Sequence, residues 1–379
     1  MRLNNNQCAF FALVKAGLWE QDARLSQLGI IDFKEVERIA EEQSVVGLVS
    51  AGLEHLLDVI VPKDVLLTFV GKALQLEQRN IAMNEYLRNL IENLRKEGIY
   101  TLLLKGQGIA QCYEKPLWRA SGDIDLFLSS ENYNKAFNYL SLGASEIEDE
   151  NPYTKHVALT VNHWEVELHG NLNSGVCRKI DKELQAIQKV VFFYGKVRSW
   201  MNVHTHIFML KEDEDIVYVF THILHHFYGE GIGLRQICDW CRLLWTYRDT
   251  IDKELLRRRL SNMGVETEWK AFAYFAVEYL GMPVDAVLFY SPSTKWKKKA
   301  DLIAQYVLKV GNFGHNVIKH KNSHTFLSRK CITAWNMVRN SMRHFRVFPF
   351  SSFRTCIFQV TLGLKKTMSL GCNKQSLQD

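Results

Sequence analysis

A change of hydrophobic period near Gly98 constrains the fold more than any other feature of the sequence. The residues before it follow helical spacing, and a long helix is expected from about Asp64 to Lys96. Two short apolar runs come after it, IYTLLLK and DIDLFL, separated by a turn and a short helix that a proline ends. Apolar runs of this length, bounded by glycine and turn residues, are typical of buried strands. The sequence therefore predicts a small α/β core within a largely helical chain.

Later segments extend this arrangement. The runs KHVALTV and WEVELHG predict two strands joined at Asn162 and His163, and the pattern after Arg198 is mainly helical. We therefore predict an α+β fold in which a small mixed β-sheet is embedded between helical segments. The predicted regions are an N-terminal helical region (1–98), an α/β core (99–204), a helical region that completes a cleft (205–290) and a basic helical region (291–379).

Charge is distributed unevenly along the chain. Residues 291–379 contain 16 Lys or Arg and two acids, so they carry +14, whereas the first 290 residues carry −8 and the whole chain +6. A basic region interleaved with aromatic side chains such as Trp296, Trp335 and Phe348 can bind RNA or anionic lipid. The alternative is that this region packs on the acidic body of the protein. These interpretations stay open at this point.

The remaining composition is that of an ordinary globular protein. Hydrophobic residues make up 47% of the 379 residues and charged residues 23%. The eight cysteines are scattered, which suits reduced thiols, and no run of 18 apolar residues occurs. We therefore expect a cytoplasmic protein without a transmembrane segment.

Two acids one residue apart, Asp123 and Asp125, stand at the start of the run DIDLFL. Because side chains alternate along a strand, both carboxylates point to one face, roughly 6–7 Å apart. Carboxylates this close repel each other unless a cation lies between them. Mg²⁺, or Mn²⁺ in its place, is a suitable cation because it binds carboxylate oxygens and keeps positions for phosphate and water. A solvated strand end is the alternative interpretation.

The run WEVELHG contributes further polar side chains by the same alternation. Glu165, Glu167 and His169 share one face of this strand. A third carboxylate brought beside Asp123 and Asp125 makes a two-metal site, which binds the entering and leaving oxygens of an in-line displacement at phosphorus. The pattern therefore favours metal-assisted chemistry at phosphorus.

The segment LLLKGQGIAQCYEKPLWRASGDIDLFL, followed by WEVELHG, resembles the uncharacterised nucleotidyltransferases of the polymerase-beta-like superfamily. The shared pattern is Lys-Gly after a strand, a short helix ending near Tyr and Pro, an Arg, Asp-Ile-Asp, and a distal Glu-Leu-His. The segment HILHHFYGEGIGLRQICDWCRLL also resembles the helices that follow in that family. The resemblance extends over about residues 99–245 and implies a polymerase-beta-like core.

The resemblance implies roles for the matching positions. Asp123 and Asp125 are expected to be metal ligands, and Glu167 to complete the metal site and help deprotonate an attacking hydroxyl. Lys105 and Gly106 occupy the turn that holds the phosphates of a nucleoside triphosphate. The wider superfamily usually has Gly-Ser at this turn, so this chain replaces a serine hydroxyl by a lysine charge.

Four further residues complete the expected nucleotide-binding site. Arg119 is expected to contact a phosphate or the acceptor, or else to pair with a nearby acid, and His169 is expected to support the metal ligands. The resemblance places the helix that carries His226 beside the cleft, where this histidine contacts the substrate, binds a metal ion together with His222, or only packs. Arg235 meets the substrate or forms an ion pair with Asp239.

Three classes of function follow. The first is a Mg²⁺-dependent enzyme that transfers a nucleoside monophosphate, for example from ATP, to an unknown hydroxyl acceptor and releases pyrophosphate. The second is a catalytically inactive nucleic-acid-binding protein in which the basic C-terminal region contacts RNA. The third is a toxin-type nucleotidyltransferase that acts on tRNA or protein. The three acids favour an enzyme over the inactive protein, because an inactive core gains nothing from carboxylates that repel each other.

Overall fold

Helices surround a single sheet in the described part of the chain. The computed structural model describes residues 3–229, 231–312 and 342–375, with side chains described as far as residue 363. The helices are α1 (Asn5–Trp19), α2 (Phe33–Glu42), α3 (Val46–Glu54), α4 (Lys63–Lys96), α5 (Gly106–Ala110), α6 (Ser130–Ser141), α7 (Arg178–Tyr194), α8 (Glu212–Tyr228), α9 (Leu234–Tyr247), α10 (Lys253–Met263), α11 (Glu266–Leu280), α12 (Thr294–Val310) and α13 (Pro349–Gln375). Short 3₁₀ turns occur at Ser26–Leu28, Pro116–Trp118 and Val284–Ala286.

The sheet is mixed and has seven strands among the described residues, in the order β3-β4-β5-β2-β1-β7-β6. The strands are β1 (Leu102–Leu104), β2 (Ile124–Phe127), β3 (Ala144–Ile147), β4 (His156–Val161), β5 (Trp164–His169), β6 (Val197–Asn202) and β7 (Thr205–Leu210). Strand β2 pairs in parallel with β5, and β1 pairs in parallel with β7, while the other neighbours are antiparallel. The predicted α+β fold, a mixed sheet among helices, is confirmed.

Side chains of the central strand β2 alternate between the two faces of the sheet. Ile124 and Leu126 belong to the apolar cluster that the sheet forms with α4 and α6, whereas Asp125 between them points to the opposite face. The parallel pairing with β5 sets Asp125 beside Glu167 and Phe127 beside His169. Strand alternation and register therefore bring the predicted carboxylates to one side of the sheet.

The strands differ from the sequence-based expectation in two places. Strand β2 begins at Ile124, so Asp123 lies in the extended segment before it and not within it. The hairpin of β6 and β7 lies where a mainly helical pattern was expected, and the predicted boundary at residue 204 falls inside this hairpin. Its side chains alternate between buried and exposed positions along β7, so the period of a half-buried strand is present there.

The basic C-terminal region is described in part. Residues 313–341, which include Trp335, and residues 376–379 lie outside the described residues. Within the described part, α12 packs on α11 through Trp296, Ala300 and Ile303, which are buried. None of the described helices combines the length and the apolar composition that a membrane span requires.

Helix α3 makes a close backbone contact with the segment that leads into the site. A Cβ atom at Gly47 would lie 1.9 Å from the carbonyl oxygen of Trp118, which immediately precedes Arg119. Only glycine allows this approach, because no Cβ atom fits at such a distance. In contrast, a Cβ atom added at Gly71, in the interior of α4, would have no described atom within 4 Å.

The two glycines give a matched pair of substitutions. We predict that Gly47→Ala lowers the free energy of unfolding by about 1–3 kcal/mol, because the added methyl group forces the backbone at residue 118 to move. Gly71→Ala is expected to raise it by about 0.5–1 kcal/mol, because alanine is the better helix former. Denaturant unfolding of both variants measures the difference, and a shift of the same sign for both would contradict the account of the Gly47 contact.

Candidate active site

Three carboxylates converge at the edge where β2 and β5 meet. Asp125 is on β2, Glu167 is its register partner on β5, and Asp123 lies just before β2. One oxygen from each of these side chains lies within 4.8 Å of the other two. Asp125 is only 1% exposed, and burial is the largest cause that raises the pKa of its carboxyl group. The structure brings together the three acids that the sequence analysis selected.

The ammonium group of Lys105 lies against these acids. Lys105 follows β1 with φ 52° and ψ −140°, a conformation that is unusual for a residue with a side chain, and it precedes Gly106 with φ 46°. This backbone directs its Nζ to a point 3.0 Å from Asp125 Oδ1. Burial alone would lower the pKa of Lys105, but the negative charge of Asp125 holds that pKa above its usual value. Lys105 is therefore a fixed positive charge beside the carboxylates.

Two histidines complete the polar face of the sheet. His169 Nε2 lies 2.8 Å from Asp125 Oδ1 and 3.4 Å from Glu167 Oε2, so one ring nitrogen faces both acids. His156, on the neighbouring strand β4, places its Nε2 3.0 Å from the same oxygen of Glu167. Burial would raise the pKa of Glu167, but hydrogen bonding with His156 and His169 holds it well below its usual range. Glu167 is therefore an anion in this arrangement.

His156 was missed by the sequence analysis, although a pattern for it exists. Strands β4 and β5 are joined by the two residues Asn162 and His163, which pairs Val161 with Trp164 and hence His156 with His169. Counting back from such a tight turn predicts which residues face each other across a hairpin. The hairpin was expected, and the pairing of the histidines follows from it.

A cleft opens in front of these residues. It has a volume of about 520 Å³, large enough for a nucleotide-sized ligand. The lining residues come from the sheet, from loops such as those with Asn151 and Asn173, and from α8 with Tyr218, His222 and His226. Among the described residues that line this cleft, Lys105 is the one lysine or arginine.

The histidines of α8 form a chain that reaches Lys105. His226 Nε2 lies 3.0 Å from His222 Nε2, which lies 3.5 Å from Lys105 Nζ. Burial lowers the pKa of His222 well below its usual value, and the positive charge of Lys105 lowers it further. Burial and the nearby His225 have the same effect on the pKa of His226. These imidazoles are neutral near pH 7, so they present hydrogen-bonding groups without charge.

Arg119 lies behind the cleft in a buried ion pair. Its Nε and a terminal nitrogen donate to the two carboxylate oxygens of Asp239 at 2.8 and 2.7 Å, and Tyr113 donates to the same group at 2.7 Å. A further nitrogen of Arg119 donates to Ser121 Oγ at 2.8 Å. Arg119 is 5% exposed. Of the two expectations for this residue, the structure places it against an acid.

Arg235 acts on the same segment of backbone. One of its terminal nitrogens donates to the carbonyl oxygen of Ala120 at 2.8 Å. Neither Arg235 nor Arg119 is among the described residues that line the cleft. Together the two arginines fix residues 119–121, which lead directly to Asp123. Their contacts therefore position the segment that carries Asp123.

A family comparison agrees with this geometry. A family model described as "Uncharacterised nucleotidyltransferase" matches residues 30–281, about two thirds of the chain. The chain belongs to this nucleotidyltransferase family. The match includes every strand of the sheet and helices α8 and α9, whereas α12 and α13 lie outside it. No curated protein and no solved structure matches the chain.

The family assignment confirms the resemblance drawn from the sequence. It supports nucleotidyl transfer as the general activity, and the converging acids are a group that can bind a divalent cation. One buried oxygen of Asp125, Oδ2, has no hydrogen-bond partner among the described residues. A buried anionic oxygen without a donor is costly, and a metal ion would satisfy it. The residues of this nucleotidyltransferase therefore fit a divalent metal.

The buried pair of Arg119 and Asp239 generates a stability prediction. We expect Arg119→Met to lower the free energy of unfolding by about 3–5 kcal/mol, because it leaves the carboxylate of Asp239 buried without its cation. Arg38→Met is a matched control, since Arg38 pairs with acids at the surface and its side chain is 53% exposed. The control should change stability by no more than about 1 kcal/mol. Equal effects of both substitutions in urea unfolding would contradict the role assigned to Arg119.

Proposed function

We propose that this protein is a metal-dependent nucleotidyltransferase that transfers a nucleoside monophosphate from a nucleoside triphosphate to a hydroxyl group and releases pyrophosphate. The observation that carries the proposal is the convergence of Asp123, Asp125 and Glu167 at one cleft in a chain of this family. The same three acids are the proposed metal ligands. Mg²⁺ or Mn²⁺ suits them, because both ions prefer carboxylate oxygens.

The metal would supply positive charge to the phosphate oxygens and increase the acidity of the attacking hydroxyl group. The protein residues contribute position and charge around it. In this proposal Asp125 would hold the cation from β2, Asp123 from the segment just before β2, and Glu167 from β5. Two histidines hold Glu167 as an anion, so its main proposed role is to bind the cation. It is a weak base and would accept a proton only from a hydroxyl group whose pKa the metal has lowered.

Lys105 and Gly106 are the proposed phosphate contacts. The ammonium group of Lys105 is the one lysine or arginine charge among the described residues lining the cleft, and it is held beside the carboxylates. A phosphate chain bound to the metal would meet this charge directly. At Gly106 a Cβ atom would lie 3.6 Å from the carbonyl oxygen of Asp123, so the turn stays close to the acids. Charge from lysine thus replaces the serine hydroxyl of the wider superfamily.

The remaining predicted residues receive supporting roles. His169 is proposed to orient Asp125 and Glu167, which both approach its Nε2. His226 on α8 is proposed to contact the nucleotide or the acceptor, since it lines the cleft as a neutral imidazole. Arg119 and Arg235 are proposed to act through the backbone at 119–121, and not through direct contact with phosphate.

The basic C-terminal region supports an RNA contact only in part. Lys299 donates to the carbonyl oxygen of Val347 and lies over the ring of Phe348, so its charge is used within the protein. Lys297 lies 3.8 Å from Glu278 on α11. Lys295 lies over the ring of Trp296, so an RNA contact by α12 would depend mainly on Lys298 and Lys309. We retain tRNA and protein among the possible hydroxyl acceptors.

A cytoplasmic location is also proposed. The six described free cysteines support it, because reduced thiols are typical of that compartment.

Substitution of the acids tests the proposal. We predict that Asp125→Asn lowers the rate of nucleotidyl transfer by at least about 100-fold, since the amide loses the negative charge that binds the metal. Asp249→Asn is the matched control, because Asp249 is at the surface with a side chain that is 84% exposed.

Calorimetry with ATP should show tight binding in the presence of Mg²⁺ or Mn²⁺ and weak binding in EDTA. Equal ATP affinity with and without metal would exclude the proposed metal site.

A further inference from the structure

The residues His156, Glu167 and His169 form a second group of potential metal ligands beside the carboxylates. One donor atom from each lies within 4.8 Å of the other two, and Glu167 belongs to both groups. The two imidazoles and the carboxylate come from adjacent strands, β4 and β5. The proposed nucleotidyl transfer uses the carboxylate group, and His156 takes part in it only as a hydrogen-bond partner of Glu167.

The distances in this group match those between neighbouring ligands of one metal ion. Glu167 Oε2 lies 3.0 Å from His156 Nε2 and 3.4 Å from His169 Nε2. Metal–nitrogen and metal–oxygen bonds of about 2.0–2.2 Å place neighbouring ligand atoms about 3.0–3.5 Å apart in octahedral or tetrahedral geometry. The two histidine nitrogens lie within 4.8 Å of each other, so binding a common ion would require them to approach it and to release any proton that they donate to Glu167.

The scaffold holds the donors in this arrangement. His156 and His169 are register partners across the β4–β5 hairpin, and Glu167 is the partner of Ala158 on the same face. Ala158 is small, so the space above it is left for the imidazole of His156 to approach Glu167. The rings of the two histidines lie 4.7 Å apart between centroids, with 47° between their planes. Ligands on paired strands keep their geometry better than ligands on loops.

The charge around this group also favours a cation. Asp123, Glu165 and Glu167 line the cleft, and Asp125 is buried behind them. Lys105 is the one lysine or arginine among the described lining residues, and it is engaged by Asp125. The cleft therefore carries more negative than positive charge, and a divalent ion would reduce the repulsion among its acids.

We propose that His156, Glu167 and His169 form a binding site for a transition-metal ion of the Zn²⁺ class, selective over Mg²⁺. Imidazole nitrogens are good ligands for Zn²⁺ and poor ligands for Mg²⁺, which prefers oxygen. With two histidines and one carboxylate as ligands, a bound ion would keep a further position for water or for an oxygen of a substrate. The site goes beyond the proposed function, because it binds its ion without any nucleotide.

Metal titration of the full-length, metal-free protein tests this site. We expect Zn²⁺ to bind in calorimetry and to remain bound in millimolar Mg²⁺. Co²⁺ used as a probe should give the visible absorption of a four- or five-coordinate site with nitrogen and oxygen ligands. Intense sulfur-to-cobalt bands would instead indicate cysteine ligands and would overturn the proposal, as would displacement of Zn²⁺ by an equal concentration of Mg²⁺.

Variants of His156 identify the ligand. His156→Gln should weaken Zn²⁺ binding at least tenfold, whereas His156→Cys should restore it, because a thiolate also binds Zn²⁺. His204→Gln is the matched control, since His204 also pairs with a glutamate at 3.0 Å, but its side chain is 70% exposed and it is not among the described residues that line the cleft. Unchanged Zn²⁺ affinity in His156→Gln would contradict the proposal. If that variant does not fold, the Zn²⁺–Mg²⁺ competition and the Co²⁺ spectrum of the wild type decide the question.

The two proposals share Glu167, but their tests have separate readouts. Zinc binding without transfer activity would refute only the proposed function. Transfer activity without selective Zn²⁺ binding would refute only this site.

Discussion

The parallel pairing of β2 with β5 is the constraint on which the rest of the site depends. It sets Asp125 beside Glu167 and leaves the two carboxylates to repel each other on one face of the sheet. Burial of the neighbouring side chains Ile124, Leu126, Val166 and Leu168 on the other face fixes the register, because a slip by one residue would move these apolar groups out of the core. The free energy of core packing therefore maintains a cluster of charge that would otherwise separate.

The surroundings of this cluster offset part of the repulsion without removing it. Lys105 contributes one positive charge from a strained backbone position, and His169 contacts both Asp125 and Glu167. One buried oxygen of Asp125 still lacks a partner among the described residues. Strain and unsatisfied groups of this kind are retained where a ligand compensates for them. A bound divalent cation would satisfy the unpaired oxygen of Asp125, whereas the strained backbone at Lys105 holds its ammonium group beside the same carboxylate.

A second layer of contacts holds the site from behind. Arg119 and Asp239 connect the segment before β2 to α9, and Gly47 allows α3 to pack against the backbone at Trp118. Helices that precede the strands in the sequence and helices that follow them therefore both help to position the cleft. The family match includes both of these contacts, since it covers residues 30–281.

Local patterns in the sequence were sufficient for much of the fold. The long helix, expected from about Asp64 to Lys96, is α4 at Lys63–Lys96, and the β4–β5 hairpin lies as predicted. Alternation along WEVELHG correctly placed Glu167 and His169 on one face. These features depend on period and turn length, which neighbouring residues determine.

The features that sequence reasoning did not supply depend on long-range contacts. Arg119 pairs with Asp239, which lies 120 residues later on α9. Sequence patterns do not show that these two residues are close in space, so the sequence left open whether Arg119 pairs with an acid or contacts a phosphate. The β6–β7 hairpin joins the sheet because β7 pairs with β1, far away in the sequence. Its alternation of buried and exposed residues is short, and the longer helical pattern that follows favoured a helical prediction for the whole region. The role of His156 required the pairing across the hairpin to be counted residue by residue.

The central claim is that the cleft transfers the α-phosphorus of a nucleotide with its nucleoside. The most direct measurement supplies the protein, Mg²⁺ and a cell extract with ATP or another nucleoside triphosphate, labelled either at the α-phosphorus or at the γ-phosphorus. The account predicts that the α-label becomes attached to an acceptor and that the γ-label is released in pyrophosphate. Attachment of the γ-label to an acceptor, with the α-label left in the nucleoside diphosphate, would contradict it.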